Sequence, residues 1–361
     1  MAFASYPKEA AATRFRLQQY VGPLQKRGIE LAIYPFFEAN AFAQFYHRES
    51  WPKTVLSLMA STFRRVLDTS AARKADAIML QREAMLFGPP WFEWVTTKLL
   101  KRPMVLDLDD ATYVSYTSPT YGRLGNVLKW FGKTDELIRW ADVVVCGNSA
   151  IAEYAAGKGA HTEIVPTIVD TNVFKPLPQK SEQELVIGWI GTHSTFPHLQ
   201  SILPVIVDLA RQHKFRLKIV GAGKESIDLP GIEVESLPWR LDREVADFRT
   251  LDIGLYPIDE SIYEGWASGK SGFKAIQYMA VGIPYVATPV GGSGEIGEVG
   301  VTHFAATTND EWYQALAELI TNPEKRRAMG IAGREHVTRH YALEDQADKL
   351  AAILRSVAAR K

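Results

Sequence analysis

The sequence predicts an α/β protein built as two doubly wound halves. Short apolar runs alternate with amphipathic helical stretches along the whole chain, the alternation restarts after a proline-rich break near position 170, and 361 residues suffice for two cores. In the first half, MAFASYP opens as a strand cut short at its start. A helix over residues 13–27 turns Phe15, Tyr20, Val21 and Leu24 inward and stops at Gly28. Strand 29–35, helix 52–74, strand 77–80, helix 91–101, strand 103–108, helix 124–140, strand 142–146, helix 149–157 and strand 162–165 continue the pattern. Residues 166–178, PTIVDTNVFKPLP, hold three prolines and no periodicity, which reads as a linker.

The second half expects strands 185–190, 215–220, 232–235, 252–256 and 285–288, with helices over 195–213 and 242–249. From Asp310 the tail is helical; Trp312, Leu316, Leu319 and Ile320 face inward, Asn322 and Pro323 start another helix, and 343–359 forms the last. The domains are therefore 1–166, a linker 167–179, 180–340, and a C-terminal helix 341–361 that returns toward the first domain.

Hydrophobic residues at 47% and charged residues at 23% are ordinary for a folded globular chain. Forty-one basic and forty-one acidic side chains cancel, so no global field draws nucleic acid. The single Cys146 ends an apolar run and reads as a small core residue. No run of 18 apolar residues and no leader pattern occurs, so the expected location is cytoplasmic, with peripheral contact at the inner membrane face as an option. That option rests on Trp91, Phe92, Trp94, Lys98, Lys101 and Arg102, an aromatic and basic helix for which core packing is the simpler reading.

The stretch 269–284, GKSGFKAIQYMAVGIP, carries the chemistry. Ser271 is a good N-cap, Gly282 a good stop, and Pro284 ends the segment before the next strand. Phe273, Ile276 and Ala280 share one face; Lys274, Gln277 and Val281 share another. Lys270 and Lys274 sit at the positive end of the helix dipole, where an anion held between ammonium and backbone N–H groups reverses the penalty. Gly191–Thr195 (GTHST) and Gly221–Gly223 (GAG) follow the first two strands of this half, and their glycines let backbone approach a ligand closely. Two sheets facing each other would set these loops around a cleft.

These residues carry a resemblance. The paired α/β halves, Tyr256–Ile258 (YPI), the helix KAIQYMAVGIP and the following PVGG resemble family 4 retaining glycosyltransferases of the GT-B fold, two Rossmann-like domains, over nearly the whole chain. The family's helix reads Glu, seven residues, Glu, then Ala-Met-Ala-x-Gly-x-Pro. Its second glutamate, a donor-ribose contact, corresponds to Gln277; eight places back stands Gly269, with Glu264 in YEGW able to supply the other carboxylate. The family's diphosphate-binding Arg and Lys are missing from GTHSTFPH, so Lys270 and Lys274 are expected to replace them, helped by Ser271, Thr192, His193 and Ser194. The resemblance implies a base site near Pro238 and Trp239, with Gly191, Gly221, Gly223 and Tyr256 along the donor. It implies a nucleotide-sugar donor, a small-molecule, glycan or lipid acceptor, no cofactor and no metal.

Asp107, Asp109 and Asp110 in VLDLDDATY need an explanation, since adjacent carboxylates resist joint ionisation without a cation or donors. Under the resemblance, Asp109 and Asp110 stand where the family often carries a catalytic-site His, and they are candidate catalytic residues. The rival is a haloacid-dehalogenase-like phosphatase with Asp107 as nucleophile, although Ala111 departs from that pattern. A catalytically silent nucleotide-sugar binder and an epimerase are further alternatives. Arg14 and Arg16 read as solvated surface charge, and the histidines show no zinc spacing.

Overall fold

The computed structural model describes residues 1–45, 51–115, 128–177, 184–262 and 265–360. It divides into two compact units, one of Met1–Thr167 with Leu343–Lys361 and one of Ile168–Ala342. Each is built on a six-stranded, all-parallel sheet.

In the first unit the strands are β1 (Ala2–Ala4), β2 (Ile33–Pro35), β3 (Ile78–Gln81), β4 (Met104–Leu108), β5 (Val143–Cys146) and β6 (Thr162–Ile164), in the order β2-β1-β3-β4-β5-β6. Strands β1, β3, β4 and β5 are buried along their whole length, as parallel strands covered on both faces must be. Cys146 is in this core, and burial pushes its thiol up to about 12. The expected helix 13–27 is broken into Ala11–Arg16, a 3-10 turn Gln18–Tyr20 and Val21–Lys26. Pro23 explains the break: it lacks an N–H and its ring would meet the carbonyl four residues back, so it stands in the first turn of a new helix. Expected helix 91–101 is one turn, Trp91–Trp94, followed by a π-helical turn, Val95–Leu99. Part of expected helix 124–140 lies outside the described residues, and its regular portion is Lys133–Trp140. The last helix, Leu343–Ala358, belongs to this unit; Ala347, Leu350, Leu354 and Val357 are buried, and Arg27 bonds Glu344 and Asp348.

The second unit holds β7 (Val186–Ile190), β8 (Arg216–Val220), β9 (Glu233–Leu237), β10 (Ile253–Tyr256), β11 (Tyr285–Ala287) and β12 (Phe304–Ala305), ordered β12-β11-β10-β7-β8-β9. Two-residue β12 is too short to leave a periodic signal. The chain runs outward from β7 to β8 and β9, then returns beside β7 at β10 and runs outward the other way. That reversal makes the β7/β10 carboxyl ends a topological switch point, where open parallel sheets bind ligands. The equivalent reversal in the first unit lies between β1 and β3. Residues of the expected linker pack on the second unit: Arg334 donates to the Thr171 and Phe174 carbonyls, and Arg249 to those of Val173 and Lys175.

Candidate functional site

In the second unit the lysine helix is Phe273–Ala280. Its N-cap is Gly272 at φ +67°, one residue beyond Ser271, which is a correction to the sequence reading. A Cβ at 272 would come 2.4 Å from Ile296 Cδ1 and 2.5 Å from the Gly292 carbonyl carbon, so both the left-handed turn and the space demand glycine. Gly291 and Gly292, the end of PVGG, meet the same stretch backbone to backbone: the Gly292 N–H donates to the Lys270 carbonyl at 2.7 Å, and a Cβ on Gly291 would lie 2.6 Å from the Ser268 oxygen. Gly269 is buried in the 3-10 turn just before. No side chain caps the helix and no acidic residue occupies its first turn, so its positive end is not neutralised from within the helix.

Tyr278 is fully buried, donates its hydroxyl to the Leu255 carbonyl at 3.0 Å, and lies against Gly254, where a Cβ would come 2.6 Å from the ring. A ring buried this way contributes roughly 2–3 kcal/mol and fixes the helix against β10. The Lys274–Gln277–Val281 face is not a solvent-facing one: Gln277 is 0% exposed and Val281 buried. Gln277 Oε1 accepts from Lys274 Nζ at 3.0 Å, while its Nε2 has no partner among the described residues. Lys274 Nζ also stands 5.2 Å from the Phe248 ring centroid, and Lys270 Nζ stands 3.2 Å from that of Trp266. Glu264 lies outside the described residues.

Loops from neighbouring strands converge on the switch point. After β7, Gly191, Thr192, Ser194 and Thr195 form a tight turn: the Thr192 N–H donates to Thr195 Oγ1 at 3.0 Å, and Thr192 and Ser194 share a hydroxyl bond at 2.9 Å. The turn leads into the helix Phe196–Ala210, whose cap Thr195 makes no side-chain bond to it. After β8, Gly221 approaches Gly191 so closely that a Cβ would meet the Gly191 oxygen at 2.2 Å, and Gly223 packs on His193. These glycines let the two loops pack backbone against backbone. Trp239, half-buried, also borders Gly221; Pro238 is exposed. Tyr256 ends β10 and is half-buried.

Two residues missed from the sequence stand here. His198, in the first turn of Phe196–Ala210, accepts the Asp259 N–H on Nδ1 at 3.0 Å, which ties the β7 and β10 loops together. Burial lowers its pKa and the Lys270 charge lowers it further, against the pull of Asp259, so the ring is neutral with its proton on Nε2. Lys224, directly after GAG, places Nζ 5.0 Å from the ring of Phe196 at the start of that helix. Neither has a local sequence signal; both depend on loops brought together by strand order.

In the first unit the aspartates follow β4. Asp107 is fully buried and forked by Arg16, with Nε to Oδ2 at 3.0 Å and NH2 bonded to Oδ1. Burial opposes a charged Arg16, but Asp107 outweighs it and holds the guanidinium above its ordinary range. Arg16 is therefore a buried ion-pair partner rather than solvated surface charge, and Asp107 has no oxygen accessible for nucleophilic attack, which removes the phosphatase reading. Arg14 is half-buried over the Phe15 ring. Asp109 is forked by Arg82, Nε to Oδ1 at 2.6 Å and NH2 to Oδ2 at 2.8 Å. Burial opposes its ionisation, yet Arg82 and then Arg16 prevail and hold Asp109 below the usual carboxylate range. Arg82 has φ +62°, a strained position for a side-chain-bearing residue, at the edge of β3 beside the first unit's switch point. Asp110 lies 3.8 Å from Arg82 and is more exposed than Asp109. Of the aromatic and basic segment, Phe92 is buried, Trp91 and Arg102 are half-buried, and Trp94, Lys98 and Lys101 are exposed, with Lys98 over the Trp140 ring. No described helix is long and apolar enough to cross a membrane.

Residues 184–322 match the family described as Glycosyl transferases group 1. A D-inositol 3-phosphate glycosyltransferase of Segniliparus rotundus is 24% identical over 290 residues, 73% of this chain; the match spans 63% of that relative's length. Among solved structures, Anabaena HepE in complex with UDP-glucose is similar at a TM-score of 0.71 and 16% identity, covering 98% of this chain and 99% of that one. A sucrose-phosphate synthase from Thermosynechococcus elongatus gives 0.70 and 14%, covering 100% and 99%. The chain thus has the two-domain GT-B fold of these structures, and its second unit carries the Glycosyl transferases group 1 match.

Proposed function

We propose that the protein is a retaining, metal-independent glycosyltransferase that moves a sugar from a nucleoside diphosphate to an acceptor hydroxyl. The observation that carries this is the positive end of Phe273–Ala280, uncapped by any side chain and with no acidic residue in its first turn, with Lys270 and Lys274 at it, in a unit whose sheet has its switch point between β7 and β10. UDP is the first nucleotide to test, because the similar Anabaena structure holds UDP-glucose. In the reaction, the bond from the anomeric carbon to the diphosphate oxygen breaks with its electron pair left on that oxygen. The acceptor oxygen forms the new bond on the same face, and its proton passes to the departing phosphate oxygen. Negative charge grows on the diphosphate, and lysines fixed beside it lower the barrier. Lys224, Thr192 and Ser194 are further donors on the same edge, and Trp239 is the candidate platform for the base. In the first unit, the more exposed Asp110 is the candidate for hydrogen bonding to acceptor hydroxyls, while Asp109, buried with both oxygens on Arg82, holds that guanidinium in place.

Gln277 favours a second reading. Where the family has a charged ribose contact, this chain has a buried amide bonded to Lys274. A catalytically silent nucleotide-sugar binder fits that observation. Turnover separates the two: release of UDP from UDP-sugars, stimulated by an acceptor panel and lowered at least about tenfold by Lys270→Ala, supports the transferase. UDP binding with no acceptor-stimulated release assigns the silent binder.

A further inference from the structure

We propose that two copies of this chain pair through the outward face of the helix Trp51–Ala72. The helix has 22 residues, and its polarity is inverted relative to an ordinary surface helix. Val55, Leu56, Met59, Phe63, Val66 and Leu67 are 45–68% exposed. Ser61 and Arg65 are buried on the opposite side, where Arg65 pairs with Asp68 at 2.9 Å and donates to the carbonyls of Ala4, Tyr34 and Ala84. These bonds hold the polar side inward and leave the apolar side facing out.

The geometry of the face fits a second helix. Leu56, Met59, Phe63, Val66 and Ser70 alternate three and four residues apart, the seam of a left-handed helix pair, with Val55, Ala60 and Leu67 beside it. The six large side chains, at about 150–200 Å² each when free, expose on the order of 600 Å². That is at the upper end of the ~300–600 Å² of the largest apolar patch on a typical monomer, and it approaches the ~800 Å² each partner contributes to a standard interface. A twofold arrangement puts this self-complementary stripe on itself. Charge favours protein over an anionic bilayer: Arg64 beside the face is paired with Glu38, and the chain has no net charge to draw it to lipid.

The test is sedimentation equilibrium of the full chain from about 1 to about 100 μM, where a dimer of ordinary affinity fills in. The double variant Leu56→Glu/Phe63→Glu changes only exposed positions, and with unaltered circular dichroism it is expected to weaken dimerisation at least about 100-fold. As a second measurement, mild oxidation of Leu56→Cys, Phe63→Cys and Ser70→Cys forms a cross-linked dimer from at least one variant. Ile331→Cys, exposed on a helix of the other unit, forms none, and the buried Cys146 does not contribute. Wild-type protein that stays monomeric throughout, or a dimer unaffected by the glutamates with no cross-link from the three cysteines, overturns the proposal. Monomeric protein that sediments with anionic vesicles and is released by the same glutamates overturns it too and assigns the face to lipid.

Discussion

Replacing Gly272 by alanine probes how the lysine helix is positioned. The native φ of +67° costs an L-residue about 1–2 kcal/mol. The new Cβ would sit 2.4 Å from Ile296 Cδ1 and 2.5 Å from the Gly292 carbonyl carbon; the first is a flexible end, the second is backbone and cannot rotate away. Such overpacking adds about 1–3 kcal/mol, giving roughly 2–5 kcal/mol in all. At ~2–4 °C per kcal/mol for a unit of this size, Tm falls by about 4–20 °C. Gly231→Ala supplies the control: φ is +76°, yet nothing lies within 4 Å of its Cβ, so only the conformational cost of ~1–2 kcal/mol applies. Thermal unfolding followed by tryptophan fluorescence reads both variants. If Gly272→Ala is no less stable than Gly231→Ala, the close approach of Gly292 to residue 272 is not a constraint on the helix, and this account of its start is wrong.

Arg82→Gln leaves Asp109 buried without its fork and is expected to cost about 3–5 kcal/mol in urea denaturation, with most of it recovered in Arg82→Gln/Asp109→Asn. An additive double variant contradicts the pairing. Because the Asp109 pKa is depressed in the fold, its share of stability is complete above the unfolded carboxylate pKa near ~4 and is lost as pH falls through the folded value. The double variant should therefore unfold less steeply in acid than wild type. His303 is buried, stacked on Tyr285 and lowered to about 4 by burial, so the neutral ring stabilises the fold above pH ~6.5 and up to about 3 kcal/mol disappears as pH falls toward the folded value. His303→Gln should flatten stability between those two values; an unchanged pH profile assigns the acid limb to other groups.

The lysine helix shows what was legible locally and what was not. Gly282 and Pro284 marked its end because stop signals are properties of single residues. Its start was placed one residue early: Ser271 has the better capping side chain, but the left-handed turn falls at Gly272 because Ile296 and Gly292 crowd that position from elsewhere in the chain. The aspartate cluster was legible as a problem, since three neighbouring carboxylates demand compensation. Its solution was not, because Arg82 and Arg16 lie 27 and 91 residues from their partners and only the sheet brings them together. His198 and Lys224 were invisible for the same reason. The alternation of apolar runs sufficed for two parallel sheets, while two-residue β12 and the break at Pro23 lay below its resolution.

The most direct test of the central claim is calorimetric titration of UDP, with GDP and ADP beside it, into wild-type protein and Lys274→Ala without added metal. A lysine bonded to a diphosphate contributes about 1.5–3 kcal/mol, so the substitution should weaken nucleotide binding about 10- to 100-fold; it also leaves the buried Gln277 carbonyl without its partner, which costs about 1–3 kcal/mol of stability, so the titrations are run well below the lowered Tm. Equal affinity in the two proteins, or no binding of any nucleotide by the wild type, contradicts a diphosphate site at the start of Phe273–Ala280.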